Sequence, residues 1–191
     1  FYWEYKKPIP LEDVFPSGLK TWDRDKKILY FENLAKSFEN PLKDIENNTI
    51  TKYINGKPIT IEITSGKKIG AIMPVYVLGG FIDVDKLVKI SATYGIPLIE
   101  DSTEALGSFK NGKHAGTYGL TGVLSFNGNK IISTGGGGMI LTNNKDIAIR
   151  AKHITSTAKT DPLDYFHDEV GYNYRLVNVL AAIGVGQMEN F

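Results

Sequence analysis

From Gly70 onward the sequence predicts an α/β fold on a mainly parallel sheet, and three observations carry that prediction. Residues 71–77, AIMPVYV, are an unbroken apolar run of strand length, as expected where both faces of a strand are covered. Val84, Leu87, Val88 and Ile90 come next at near-helical spacing. Strand and helix patterns then alternate as far as residue 188, the order that builds a parallel sheet from crossover units.

In chain order, the first fifty residues carry Pro8, Pro10, Pro16 and Pro41 among mixed charge, with one helix predicted around residues 28–38 and no catalytic pattern. Residues 51–64 alternate apolar and polar side chains about Asn55-Gly56, a dipeptide suited to a tight hairpin turn, so a β-ribbon is predicted there. Residues 1–69 are thus expected to form a divergent N-terminal segment beside a main portion, 70–191. The helix over 83–94 is closed by Gly95, and an apolar strand then ends at Asp101. A short helix is expected over 104–106, a turn at Asn111-Gly112-Lys113, strands at 122–126 and 138–142, and helices at 146–154 and 176–188.

Composition removes several classes of function. A chain of 191 residues, 42% hydrophobic and 23% charged, can bury one good core but not two large ones. Its formal charge of +1, from 22 basic and 21 acidic residues, offers no footprint for nucleic acid or an anionic membrane. There is no cysteine, so thiolate chemistry and disulfides are absent. His114, His153 and His167 lack the short spacing of metal ligands, so no metal site is expected. No apolar run approaches the roughly 18 residues of a membrane span, and residues 1–7 lack the apolar core of a secretory signal. A cytoplasmic location is the expectation.

Chemistry enters at Lys130. The stretch SFNGNK from Ser125 leads through residues 131–134 into four glycines at 135–138, placing one lysine between an apolar strand and a glycine-rich turn. A lysine at a strand edge can add to an aldehyde once it gives up its proton. Asp101, at the end of its own apolar strand, can pair with a pyridinium nitrogen, and the two residue types together suggest a pyridoxal phosphate (PLP) enzyme. Taken singly each has a plainer reading: Lys130 as a loop cation, Asp101 as a cap accepting backbone N–H groups near Thr103 or Glu104. The glycines can cradle a phosphate or simply let the chain pass close to a neighbour. Ser125 can be a phosphate hydroxyl or an ordinary strand-end serine. Residues 107–114, GSFKNGKH, nearly match a P-loop, but His114 stands where the magnesium-binding Ser or Thr belongs and no strand precedes Gly107.

The order of these residues resembles the DegT/DnrJ/EryC1/StrS sugar-nucleotide aminotransferases, PLP enzymes of the aspartate-aminotransferase fold type. The resemblance covers about residues 70–191, through IPLIEDSTEALGS at 96–108, the SFNGNKIISTGGGGMI block from Ser125, and HDEVGYNYRLVNVLAA at 167–182. It implies a three-layer, PLP-dependent transferase-like large domain, incomplete in this chain. The SFNGNK wording and AKTDPLDYFHDE at 158–169 look most like the branch that aminates UDP-linked 4-keto-6-deoxy sugars. By resemblance, Lys130 is the lysine that bonds to the cofactor's aldehyde carbon and later moves the substrate proton. Asp101 is the carboxylate that keeps the pyridine nitrogen protonated. Glu104 takes the place near the cofactor's phenolic oxygen, Ser125 matches a phosphate-binding hydroxyl, and Asn173 matches an asparagine that reaches the cofactor phosphate of a neighbouring subunit. A homodimer is therefore implied, with a nucleotide-sugar substrate and an amino-acid donor such as glutamate. Lysine at 130 also separates the chain from related sugar dehydratases, which carry histidine there.

The family's N-terminal phosphate-binding loop, its ring-stacking residue and its C-terminal small domain have no counterpart in this sequence, so a fragment is expected. Tyr76 stands where many relatives have histidine, which puts a substrate-side contact in question. Two functions are open: amino transfer to a nucleotide-linked keto-deoxy sugar in surface-polysaccharide or nonulosonic-acid biosynthesis, or a catalytically silent domain that acts only by binding.

Overall fold

The computed structural model describes residues 49–191 apart from 55, 64, 65, 67 and 162, so the helix expected around 28–38 lies outside the described residues. Strands β1 (Thr49–Ile54) and β2 (Lys57–Glu62) pair antiparallel with Ile54 opposite Lys57, and Gly56 turns between them at φ +73°. Residues 49–191 form one compact unit, so the hairpin is not set apart from the α/β portion beyond Gly70. The join is specific. Buried Thr60 donates its hydroxyl to the Tyr94 carbonyl at 2.7 Å, and β2 runs so close to Gly95 that a Cβ there would overlap Pro58.

Helix α1 (Val84–Tyr94) begins where the Asp83 carboxylate accepts the Lys86 N–H and ends where Gly95 takes a left-handed backbone, φ +63°. Its buried residues are Val84 and Ile90. Strand β3 (Ile99–Asp101) runs parallel to β6 (Thr121–Ser125) on one side. On its other side it makes parallel bridges at Ile72 with Leu98 and at Val75 with Asp101. The last strand, β7 (Gly138–Leu141), lies antiparallel to β6. Residues 126–137, with no helix among them, join β6 to β7, and without a crossover helix the chain reverses direction.

Two expectations change here. The apolar run 71–77 is covered on one side only: Tyr76 is fully buried while Met73, Val75 and Val77 stand exposed. The short helix expected over 104–106 is two successive turns, with Ala105 N–H bonded to Ser102 O and Ser108 N–H to Ala105 O. Asp101 captures the Thr103 N–H and Gly107 takes φ +82°, leaving too few residues for a helix to propagate. The P-loop-like residues form a small hairpin, β4 (Phe109–Lys110) and β5 (Lys113–His114), turning at Asn111 and Gly112, both at positive φ.

Two helices complete the described fold. Helix α2 (Lys145–Thr155) is capped by Asn144, whose side-chain oxygen accepts the N–H groups of Asp146 and Ile147. Helix α3 (Asn178–Met188) reads NVLAAIGVGQM, apolar around its circumference, and buries no residue. The innermost cluster is Tyr76 with Ala105 and Ala115, with Phe81 and Ile82 packed against it. Phe81 sits edge-on to both Tyr76 and Tyr118, at 5.3 and 6.1 Å.

Candidate functional site

Lys130 stands at the end of the turn that leaves β6. Its N–H is held by the Asn127 carbonyl, and the Asn127 N–H in turn rests on the Ser125 hydroxyl. The Lys130 ammonium lies 3.6 Å from a carboxylate oxygen of Glu104, with its side chain only 16% exposed. Lys130, Glu104 and Ser125 share one cleft of about 300 Å³ with Leu78, Thr103 and Asn129. That is the lower end of the size range of small-molecule sites.

Asp101 reaches the same place indirectly. It closes β3, and its Oδ1 accepts the N–H of Thr103, which lines the cleft. Its sequence alternative as a cap on the following turn is therefore also what its carboxylate does. Asn173 lies elsewhere, bridged to Ser156 beyond the end of α2, outside the residues that line the cleft. Of the glycines at 135–138 the last two serve close packing: a Cβ on Gly137 would overlap Leu176 and one on Gly138 would meet the Leu124 carbonyl, whereas Gly135 and Gly136 have open space around them. They do not line the cleft.

The structure adds residues that sequence reasoning passed over. Glu100 is completely buried, and its carboxylate accepts four hydrogen bonds. The Tyr76 hydroxyl (2.5 Å) and Gly116 N–H (2.9 Å) reach Oε2, while the Tyr118 and Gly119 N–H groups reach Oε1 at 2.6 and 2.5 Å. Burial, and next the bond to Glu100, push the Tyr76 hydroxyl far above the ordinary tyrosine range, so it stays protonated and donates. A sequence signal existed. Leu98, Glu100 and Ser102 are all buried at every second position, the period of one strand face. Tyr76, where a substrate contact was in question, has its ring and hydroxyl wholly inside the molecule.

Leu78 was missed as well. It sits in a short 3-10 turn, Val77–Gly79, at φ +52°, and its N–H donates to Glu104 Oε2 at 2.7 Å. Gln187 of α3 was the third omission. Its amide oxygen accepts the Ser133 N–H at 2.9 Å and its amide nitrogen donates to the Ser133 carbonyl, which pins the segment that follows Lys130.

All three histidines are hydrogen-bonded. His114 accepts the Gly107 N–H, and His167 meets the Thr157 carbonyl at 2.6 Å. His153 meets Asp168 and Glu169 across 15 and 16 residues, a grouping that short-range spacing does not disclose. Arg150 forks onto the Glu169 carboxylate and holds its pKa below the ordinary value, so the group reads as an ion-pair cluster.

The chain resembles known proteins over most of its length. The model of the DegT/DnrJ/EryC1/StrS aminotransferase family matches residues 42–191. GDP-perosamine synthase of Escherichia coli O157:H7 is 38% identical over 145 residues, which are 76% of this chain and 39% of that protein. The UDP-4-amino-4,6-dideoxy-N-acetyl-beta-L-altrosamine transaminase of Campylobacter jejuni is 35% identical over 129 residues, 66% of this chain and 34% of its own. Among solved structures, Helicobacter pylori PseC, an aminotransferase involved in the biosynthesis of pseudoaminic acid, superposes with a TM-score of 0.60 at 29% identity, covering 63% of this chain and 33% of PseC. This chain thus spans little more than a third of the length of these relatives.

Proposed function

This chain belongs to the DegT/DnrJ/EryC1/StrS aminotransferase family, and on that premise we propose that it works as a PLP-dependent aminotransferase that moves an amino group from a donor such as glutamate to a nucleotide-linked keto-deoxy sugar. One observation carries the reading: Lys130, Glu104 and Ser125 line a single cleft, and Asp101 is one hydrogen bond from its wall. An amine, a carboxylate at a strand end and a hydroxyl are the donor set that an aldehyde, a pyridine nitrogen and a phosphate require, so these residues fit the cofactor. PLP, when bound, supplies an aldehyde for the amine and a ring that accepts electrons.

The protein's own groups have separable tasks. Lys130 supplies the nitrogen that binds the cofactor carbon and then carries the proton to and from the substrate. Asp101 holds a proton on the ring nitrogen. Glu104, fixed by the Leu78 N–H, holds its carboxylate beside the Lys130 amine. Ser125 offers its hydroxyl to the phosphate. Asn173, outside the cleft, is assigned to the phosphate of a second subunit, which makes a homodimer part of the proposal. Relatives named for GDP- and UDP-linked sugars are similar to nearly the same degree. The reading of the sugar carrier as UDP therefore rests on the SFNGNK and AKTDPLDYFHDE wording.

A second reading, a catalytically silent domain that acts by binding, draws on the exposed apolar side chains of α3. One experiment separates the two. PLP is added to the purified chain, the adduct is reduced with borohydride, and the modified peptide is mapped by mass spectrometry. Label on Lys130, lost in Lys130→Ala, is the expected result. Asp101→Asn keeps the label but slows amino transfer by about a hundredfold or more. Label scattered over many lysines would leave only the binding reading.

A further inference from the structure

We propose that Glu100 is the positioning residue of the cleft: a buried carboxylate that fixes the 76–79 turn and the 116–119 loop against β3, and through them sets Asp101 and Glu104. Burying a carboxyl is costly unless its oxygens are fully engaged. Here three of four partners are backbone N–H groups, which can only donate, and they occupy both oxygens. The loop is shaped for this, since Gly116 takes φ +86° and a Cβ there would press on the Ser102 side chain.

Two consequences reach the cleft. Successive side chains on a strand point to opposite faces, so locking Glu100 inward directs Asp101 to the other face and forbids a slip of one residue. The second consequence runs through Tyr76. Its hydroxyl is held by Glu100 and its N–H by the Asp101 carbonyl at 3.0 Å, while its own carbonyl accepts the Gly79 N–H. With Ser108 Oγ donating to the Gly79 carbonyl at 2.9 Å, both ends of the turn are fixed. Between them Leu78 keeps a left-handed backbone that leucine disfavours, and its N–H reaches the Glu104 carboxylate beside Lys130.

The link to amino transfer rests on the cofactor reading above; the link to Leu78 and Glu104 does not. Two variants of the full 191-residue chain test it, Tyr76→Phe and Glu100→Gln. The first keeps the ring contacts with Phe81. The second places an NH₂ against backbone donors in either orientation. Amide hydrogen exchange is followed at Leu78, Gly116, Tyr118 and Gly119, with α2 as reference, and borohydride-trapped PLP labelling of Lys130 is timed alongside. In Tyr76→Phe the Leu78 amide should exchange about tenfold faster or more, the size expected when a hydrogen bond to a charged group is lost. Protection in α2 should be unchanged and Lys130 labelling slower. Glu100→Gln should also expose the three loop amides; if it does not fold, Tyr76→Phe decides alone. Wild-type Leu78 protection in folded Tyr76→Phe would overturn the proposal. Faster Leu78 exchange in a chain whose wild type takes no label on Lys130 would uphold it and remove the cofactor reading instead.

Discussion

Tyr76 keeps its proton in the folded chain and releases it more readily once unfolded, because burial and Glu100 both raise its pKa above the ordinary 10.0. A raised folded pKa contributes stability that is whole below pH 10 and is lost as pH climbs toward the folded value. Tyr76→Phe removes that dependence together with one hydrogen bond to a charged group. The variant should be about 2 kcal/mol less stable than wild type at pH 7. The gap should narrow by roughly 1.4 kcal/mol at pH 11, one unit above the ordinary pKa. Urea unfolding of both chains at the two pH values checks this, and a constant gap would mean that the hydroxyl is not insulated from solvent. At this scale local wording in the sequence picked out residues that the fold places at or beside the cleft, Lys130 before its glycines and Asp101 at a strand end. Glu100 was hidden because it stands beside Asp101, and only the strand's period separates the buried carboxylate from the one near the cleft.

Elements were legible where a local signal ended them. Asp83 and Gly95 bound α1, and Gly56 and the pair Asn111-Gly112 mark hairpin turns. The turns over 102–108 were misread as a helix because Glu-Ala-Leu favours helix, whereas capture of the Thr103 N–H by Asp101 depends on geometry. Contacts between elements have no local signature, and the join of β2 to α1 is an example. Gly95→Ala should cost the roughly 1–2 kcal/mol of a left-handed alanine and a further amount for the overlap with Pro58. Gly112→Ala, at φ +74° with open space around it, isolates the backbone cost alone. Thermal unfolding should show the larger loss for Gly95→Ala; equal losses would mean that the hairpin yields without resistance. Gln187→Ala should likewise free the segment after Lys130, seen as faster exchange of the Ser133 amide.

At the scale of the whole molecule, the dominant feature is apolar surface that the described residues leave uncovered. Val170, Tyr174, Val177, Val179 and Val185 are each more than half exposed, and they belong to consecutive parts of the chain around α3. Exposed apolar area gathered in this way marks a surface that meets something else. The pattern NVLAAIGVGQM has no polar stripe, the composition of a helix covered on all sides, but no sequence rule says by what. The proposed homodimer makes a definite demand on this surface. Purified at increasing concentration, the chain should sediment as a growing fraction of dimer. Val179→Lys with Ile183→Lys, one turn apart on the helix, should return it to monomer, because each charge would have to be buried unpaired at a shared interface. Circular dichroism should meanwhile keep its helical signal, since lysine is a good helix former and neither side chain is buried within the unit. If wild type and variant both stay monomeric throughout, these 191 residues do not pair with themselves, and the assignment of Asn173 to a second subunit's cofactor fails with the dimer.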